Sequence, residues 1–356
     1  MVRTLILLLC LMVSMQVHSQ EKTNEKVNII LVHPTVFALD AFDFLVSEKI
    51  IDVPGIHFIG VYYEKEIYDY SNSEKWLDKH NTGLFELKKI EGKISESEIY
   101  KENGLTEEFR SLFEKSSGII FMGGDDIQPS LYGSKALINT EIEDPYRHIF
   151  EVSFLYHLVG GIQHHEFYPL ISSRPNYVCL GICLGMQTMN VAAGGTLTQD
   201  IPLQIYEKKY MEDILSLPEH HSNYYNRLYP SDSLSSGNLH KIKISKELFG
   251  NYITLPADST FSIYSSHHQC VDKLGSGFVP VAWSEDGKIV EAMRHSTFPN
   301  VIGVQFHPEK ISLFSDKVKH RHYPKEPAGS YKAIIENRQE RNVNKVIWSF
   351  FSFLLK

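Results

Sequence analysis

Cysteine is scarce in this chain of 356 residues: there are four, of which Cys10 falls in an N-terminal apolar run and Cys179, Cys183 and Cys270 lie beyond it. Three is an odd number and too few for a disulfide framework, so no covalent scaffold is expected. Excess positive charge is also missing. Lys and Arg total 35 against 43 Asp and Glu, for a formal charge of −8, which excludes nucleic acid as a main partner. There is no internal repeat and no low-complexity tract, so solenoid and linker architectures are excluded. The most apolar stretch, residues 5–13, is too short to span a bilayer, and no stable membrane insertion is expected. Histidine is abundant, at 17, yet no spacing marks a zinc site. The pairs His164-His165 and His220-His221 and the run His320-Arg321-His322 read as solvated surface. Neither a metal nor an organic cofactor is expected.

What remains is an ordinary globular composition, 43% hydrophobic and 22% charged, at a length that suits one large α/β domain or two smaller ones. Arg3, the apolar residues 5–13 and Val17-His18-Ser19 before Gln20 form the pattern of a secretory signal peptide over residues 1–19. The remainder, 20–356, is expected to be a single domain, secreted or periplasmic. An exported chain that keeps an unpaired cysteine usually has a use for it.

Apolar runs at 27–32, 56–61 and 118–121 predict buried strands, and the run from Tyr177 predicts another. The spacing of Phe109, Leu112 and Phe113 predicts a helix over 106–116, with Gly118 as its C-cap; residues 147–158 predict a second. Residues 63–104 are polar and read as surface helices and loops, and 204–237 as a long ordered loop. Val343, Val346, Ile347, Phe350, Phe351 and Leu354 repeat at helical spacing and predict an amphipathic helix packed on the sheet. Alternating strands and helices predict a mostly parallel sheet with helices on both faces, its active site beyond the carboxyl ends of the strands.

One stretch carries chemistry. Tyr177-Val178-Cys179-Leu180 runs into Gly181-Ile182-Cys183-Leu184-Gly185, a G-x-nucleophile-x-G elbow with cysteine as nucleophile. Glycines flank the nucleophile because the strained turn leaves no room for side chains, and the thiol at a helix N-terminus is favoured as thiolate. A cysteine nucleophile needs a base and a group that orients it. Val304-Gln305-Phe306-His307-Pro308-Glu309 supplies His307, with Glu309 two residues on.

Taken as a set, the motifs resemble the class I glutamine amidotransferase superfamily, and within it the γ-glutamyl hydrolase group. The segments that carry the resemblance are Gly123-Gly124-Asp125-Asp126 through Gly133, Asp144-Pro145-Tyr146-Arg147 with Glu151, the elbow with Met186-Gln187, Gly194-Gly195-Thr196-Leu197 with Gln199-Asp200, Ser265-Ser266-His267-His268-Gln269, and Gly303 to Glu309. The resemblance implies a flavodoxin-like α/β fold and a Cys183-His307-Glu309 triad. It implies an oxyanion hole from the backbone N–H groups of Gly124 and Leu184, and a pocket formed by Gln187, His268 and Gln269. His267 is expected to be either pocket-lining or packed. The implied activity is hydrolysis of γ-glutamyl amides through a Cys183 thioester, without metal or cofactor, on a small-molecule substrate; dimers are common in relatives. Alternatives of the same pocket are a glutaminase feeding ammonia to a partner, and an inactive γ-glutamyl-binding protein. Leu184, Cys270 and His148 depart from the pattern of γ-glutamyl-γ-aminobutyrate hydrolases, which often carry Arg, Ala and Asp there, so the leaving group stays open.

Overall fold

The computed structural model describes residues 26–230, 234–256 and 259–356; the expected signal peptide, 1–19, lies outside the described residues. The fold is organised by three strands, β1 (Val27–Val32), β2 (Ile56–Tyr63) and β4 (Gly118–Phe121), with β1 between the other two and parallel to both. Their apolar residues alternate between faces as a pleated strand requires. Ile29 and Leu31 join one core layer with Phe42, Phe58 and Trp348, while Ile30 and Val32 join the other with Phe109, Phe150 and Met186. Burial on both faces explains why β1 reads as a continuous apolar run.

The sheet extends through β5 (Val178–Ile182) and β12 (Val301–Val304), both parallel to β4. It then continues antiparallel through β11 (Val290–His295), β10 (Phe278–Ser284), β7 (Asn238–Ile244) and β8 (Thr260–Ser265). With β3 (Phe85–Ile90) on the opposite edge, the ten-strand order is β3-β2-β1-β4-β5-β12-β11-β10-β7-β8. A separate two-stranded ribbon pairs β6 (Thr196–Thr198) with β9 (Cys270–Lys273). The expected α/β class, a mostly parallel sheet covered by helices on both faces, is what the structure has.

Helices α1 (Val36–Ser47) and α2 (Ser71–His80) precede β3, and α3 (Thr106–Glu114) and α4 (Pro145–Val159) follow it. Asp144 starts α4 by accepting a hydrogen bond from the Arg147 N–H at 3.0 Å, with Pro145 at its first position and Gly160 past its end. Helix α5 (Leu184–Ala192) leaves the elbow. Three sequence expectations need correction. Gly118 opens β4 instead of capping α3. Residues 63–104 contain β3 as well as α2; the charges in Phe-Glu-Leu-Lys-Lys-Ile hide this strand, and they suit an open sheet edge because they discourage pairing with another chain. The segment 204–237 holds short helices α7 (Met211–Ile214) and α8 (Tyr224–Leu228) after α6 (Ile201–Gln204).

After α9 (Tyr331–Asn337), the C-terminal helix α10 (Val343–Leu354) packs on the sheet as expected. Its Trp348 indole N–H donates to the Pro308 carbonyl at 2.8 Å, and its Ser352 hydroxyl accepts from the Asp52 N–H at 3.1 Å.

At the carboxyl ends of β4 and β5 the packing leaves no room for side chains. A Cβ on Gly185 would stand 2.3 Å from the Phe121 carbonyl oxygen, and one on Gly181 would stand 2.6 Å from the Gly185 backbone. Gly185→Ala must therefore push α5 away from the sheet, at a cost of about 1–3 kcal/mol typical of overpacking. Chemical denaturation should report a lowered midpoint, and an unchanged midpoint would refute the tight-packing account.

Candidate active site

Strands β4, β5 and β12 are neighbours, with Phe121 opposite Gly181 and Val304 opposite Ile182. Their carboxyl ends therefore deliver Gly123-Gly124, Cys183 and Gln305-Phe306-His307 to one place. Cys183 sits at φ 53° and ψ −107°, a left-handed conformation that a cysteine adopts only when its surroundings impose it. Its N–H donates to the Val304 carbonyl at 2.8 Å. All three described cysteines are free and buried, but they differ in kind. Burial raises the Cys270 thiol to about 12 and lifts Cys179 further still, so neither is a nucleophile near neutral pH.

His307 is held from two sides. Its backbone N–H donates to the Tyr264 carbonyl at 2.9 Å, and its Nδ1–H donates to Glu309 Oε1 at 2.7 Å. Glu309 is fully buried. A Cβ on Gly123 would lie 2.7 Å from His307 Cε1 and 3.4 Å from Cys183 Cβ, so this glycine is the gap that lets thiol and imidazole meet. Burial alone would lower the His307 pKa; Glu309 and the adjoining Cys183 outweigh it and push it up to about 10. Burial likewise works against the Glu309 carboxylate, and the His307 charge more than offsets it, leaving its pKa below the usual value.

The glycine turn is fixed from beneath. Arg147 Nη2 donates to the Met122 and Gly123 carbonyls at 2.9 and 3.1 Å, and its Nε donates to the fully buried Glu151 at 2.7 Å. In a trans peptide the N–H points opposite to the C=O. With the Gly123 carbonyl turned to Arg147, the Gly124 N–H faces away from it. A Cβ on Gly124 would meet Arg147 Nη1 at 2.1 Å and Leu184 Cδ2 at 3.1 Å, which places this turn directly against the residue after the nucleophile. Arg147 and Glu151 are thus a buried structural pair, and burial raises the Glu151 pKa to about 7 against the opposing pull of Arg147.

The pocket residues expected from the sequence lie alongside. Gln187 is buried, its Nε2 donating to the Gln269 carbonyl at 3.2 Å and to Gln305 Oε1 at 3.3 Å. Both polar atoms of the Gln269 side chain are buried without a partner. His268 reaches Asp126 at 2.8 Å and Asp200 at 3.3 Å; burial opposes its charge, but the two carboxylates raise its pKa to about 9. The sequence reading missed Gln305, whose Nε2 lies 3.7 Å from Cys183 Sγ. Its place directly after the apolar strand and two residues before His307 was the available signal. Two surface readings also need correction. His221 and His322 are buried, and His320 and His322 pack against the Tyr331 ring.

Because its folded-state pKa is raised, His307 contributes stability that is fully present below its ordinary value of 6.5 and is lost as pH rises through about 10. In histidine-labelled NMR spectra, the signal absent from His307→Gln should titrate far above 6.5, and Glu309→Gln should move that midpoint down. A midpoint at or below 6.5 in the unmutated chain would contradict this geometry.

The model of the Peptidase C26 family matches residues 99–309, more than half of the chain. A glutamine amidotransferase-like protein of Lactococcus lactis, YvdE, is 26% identical over 206 residues, covering 57% of this chain and 70% of its own length. Another, from Rickettsia prowazekii, is 30% identical over 226 residues, covering 56% of this chain and 73% of its own. A solved Thermoplasma acidophilum structure, described as one subunit of GMP synthase, aligns over 93% of this chain and 94% of its own, with 14% identity and a TM-score of 0.39. With Cys183, His307 and Glu309 assembled inside or at the edge of the matched segment, this chain belongs to the Peptidase C26 family, of the class I glutamine amidotransferase-like kind.

Proposed function

We propose that the chain is an exported γ-glutamyl hydrolase, acting outside the cytoplasm on a small γ-glutamyl amide or peptide. The observation that carries this reading is the partly buried His307–Glu309 hydrogen bond of 2.7 Å, set against a cysteine on a strained elbow. His307 held as imidazolium beside Cys183 is the resting state a thiolate nucleophile requires. Cys183 Sγ attacks the γ-carbonyl carbon, and the carbonyl π electrons move to oxygen. The Gly124 and Leu184 N–H groups receive that oxyanion, a contribution typically worth about 10²–10³ in rate per donor. As the C–N bond breaks, His307 gives its proton to the departing amine, leaving a Cys183 thioester. His307 then takes a proton from water, whose oxygen attacks the thioester carbon. Collapse releases the γ-carboxyl group and returns the thiolate–imidazolium pair.

Gln187, His268 and Gln269 would receive the glutamyl part. The unpartnered Gln269 amide offers its NH2 group as donor and its carbonyl oxygen as acceptor for it. A glutaminase reading uses the same steps with ammonia as leaving group, and it is favoured by the relatives named as glutamine amidotransferase-like.

The purified chain should hydrolyse at least one member of a panel of γ-glutamyl amides, γ-glutamyl peptides and glutamine. Cys183→Ala should lower kcat by about 10³-fold or more, and Glu309→Gln by about 10²–10⁴. Turnover of no substrate, or full activity in Cys183→Ala, sinks the proposal; turnover of glutamine alone would favour the glutaminase reading. If Leu184 shapes the leaving-group side, Leu184→Arg should change the ratio of rates between two substrates, and a constant ratio would rule that out.

A further inference from the structure

Away from the thiol, four residues from separate segments meet inside the protein. His221 precedes α8, His240 lies on β7, His267 follows β8, and Glu291 lies on β11. They are 4%, 6%, 4% and 0% exposed. Glu291 Oε1 stands 3.1 Å from His221 Nδ1, 3.6 Å from His240 Nε2 and 3.8 Å from His267 Nε2, and the four ligand atoms all lie within 4.8 Å of one another. None of these atoms makes a hydrogen bond, nor does Glu291 Oε2.

The protons make this arrangement hard to understand as a packed polar cluster. His267 Nδ1 faces the Gln269 carbonyl at 2.8 Å, and His240 Nδ1 faces the Lys241 carbonyl at 3.3 Å. A carbonyl oxygen only accepts, so each Nδ1 carries the hydrogen, and each neutral ring turns the bare lone pair of its Nε2 inward. Two nitrogen lone pairs and a carboxylate oxygen therefore converge on the same point. With nothing positive between them they repel, and a buried carboxylate without a donor is strongly disfavoured.

We infer that this is a binding site for a divalent transition-metal ion, zinc being the best match. Tetrahedral zinc, with bonds of about 2.0–2.2 Å to histidine nitrogen and carboxylate oxygen, sets neighbouring ligand atoms about 3.3–3.5 Å apart. The 3.1–3.8 Å separations around Glu291 Oε1 bracket that spacing. Three imidazoles and one carboxylate are a donor set that zinc accepts, and the carbonyls of Gln269 and Lys241 are the outer partners that orient metal-bound histidines. All four positions are taken by protein, so the ion is structural. It pins the stretch containing His221 to the antiparallel half of the sheet. Through the Gln269 carbonyl, which accepts from both His267 and Gln187, it also steadies the wall of the thiol site.

The test uses the full chain, expressed with zinc supplied and analysed by elemental mass spectrometry. About one zinc per chain is expected, with a lowered Tm after chelation. Cobalt(II) added to the metal-free chain should give the intense visible absorption of a tetrahedral site, and zinc should abolish it. His240→Ala and Glu291→Gln should each lose the bound metal, while His164→Ala, on the exposed surface, should retain it. A folded wild-type chain with no zinc and no cobalt absorption overturns the inference, as does full retention in both ligand variants. Should those variants fail to fold, the cobalt titration of the wild-type chain decides alone.

Discussion

The site depends on one steric constraint, the absence of side chains where α5 begins against β4 and β5. Gly185 lets the first turn of that helix rest on the Phe121 carbonyl, and Gly181 lets strand and helix fold back on each other. Between them Cys183 has no choice but a left-handed backbone. Such a conformation costs on the order of 1–3 kcal/mol and persists only because the surrounding sheet over-determines it. Position and orientation of the thiol are thus set by the packing of the parallel sheet, before any catalytic partner is considered. The same crowding extends to Gly123, whose missing Cβ is the space shared by His307 and Cys183.

Around this steric frame the polar groups are arranged in two pairs with different duties, each with a fully buried carboxylate. His307–Glu309 holds a charge next to the sulfur. Arg147–Glu151 holds geometry: the guanidinium gathers the Met122 and Gly123 carbonyls and sets the direction of the next peptide N–H. Removing one member of a buried pair leaves an uncompensated charge, so both pairs constrain the chain more than their individual attraction suggests.

How much of this the sequence disclosed follows from the range of the interactions involved. The apolar runs of β1, β4 and β5 were legible because strands buried on both faces leave a continuous signature. The elbow and the His307-Pro308-Glu309 turn were legible because their chemistry is local. Strand β3 was not, since an edge strand carries charges that mimic a surface loop. The roles of Gln305 and Arg147 depend on neighbours across the sheet, as Gln305 reaches Cys183 and Arg147 reaches Met122 and Gly123. The burial of His221, His240 and His267 around Glu291 left no trace in spacing because those residues come from four separate segments.

The hydrogen bond from the Trp348 indole to the Pro308 carbonyl joins helix α10 to the turn between His307 and Glu309. Ser352 of the same helix also accepts from Asp52, some three hundred residues earlier in the chain. Helix α10 is therefore a clasp between a segment that a ribosome makes early and one that it makes late. Until residues 343–354 have been added, the histidine turn beside the elbow cysteine has its His307 N–H bond to the Tyr264 carbonyl but lacks the Trp348 bond to Pro308. A chain shortened by that helix would lose the Trp348 bond that ties the His307-Pro308-Glu309 turn to the far end of the sequence.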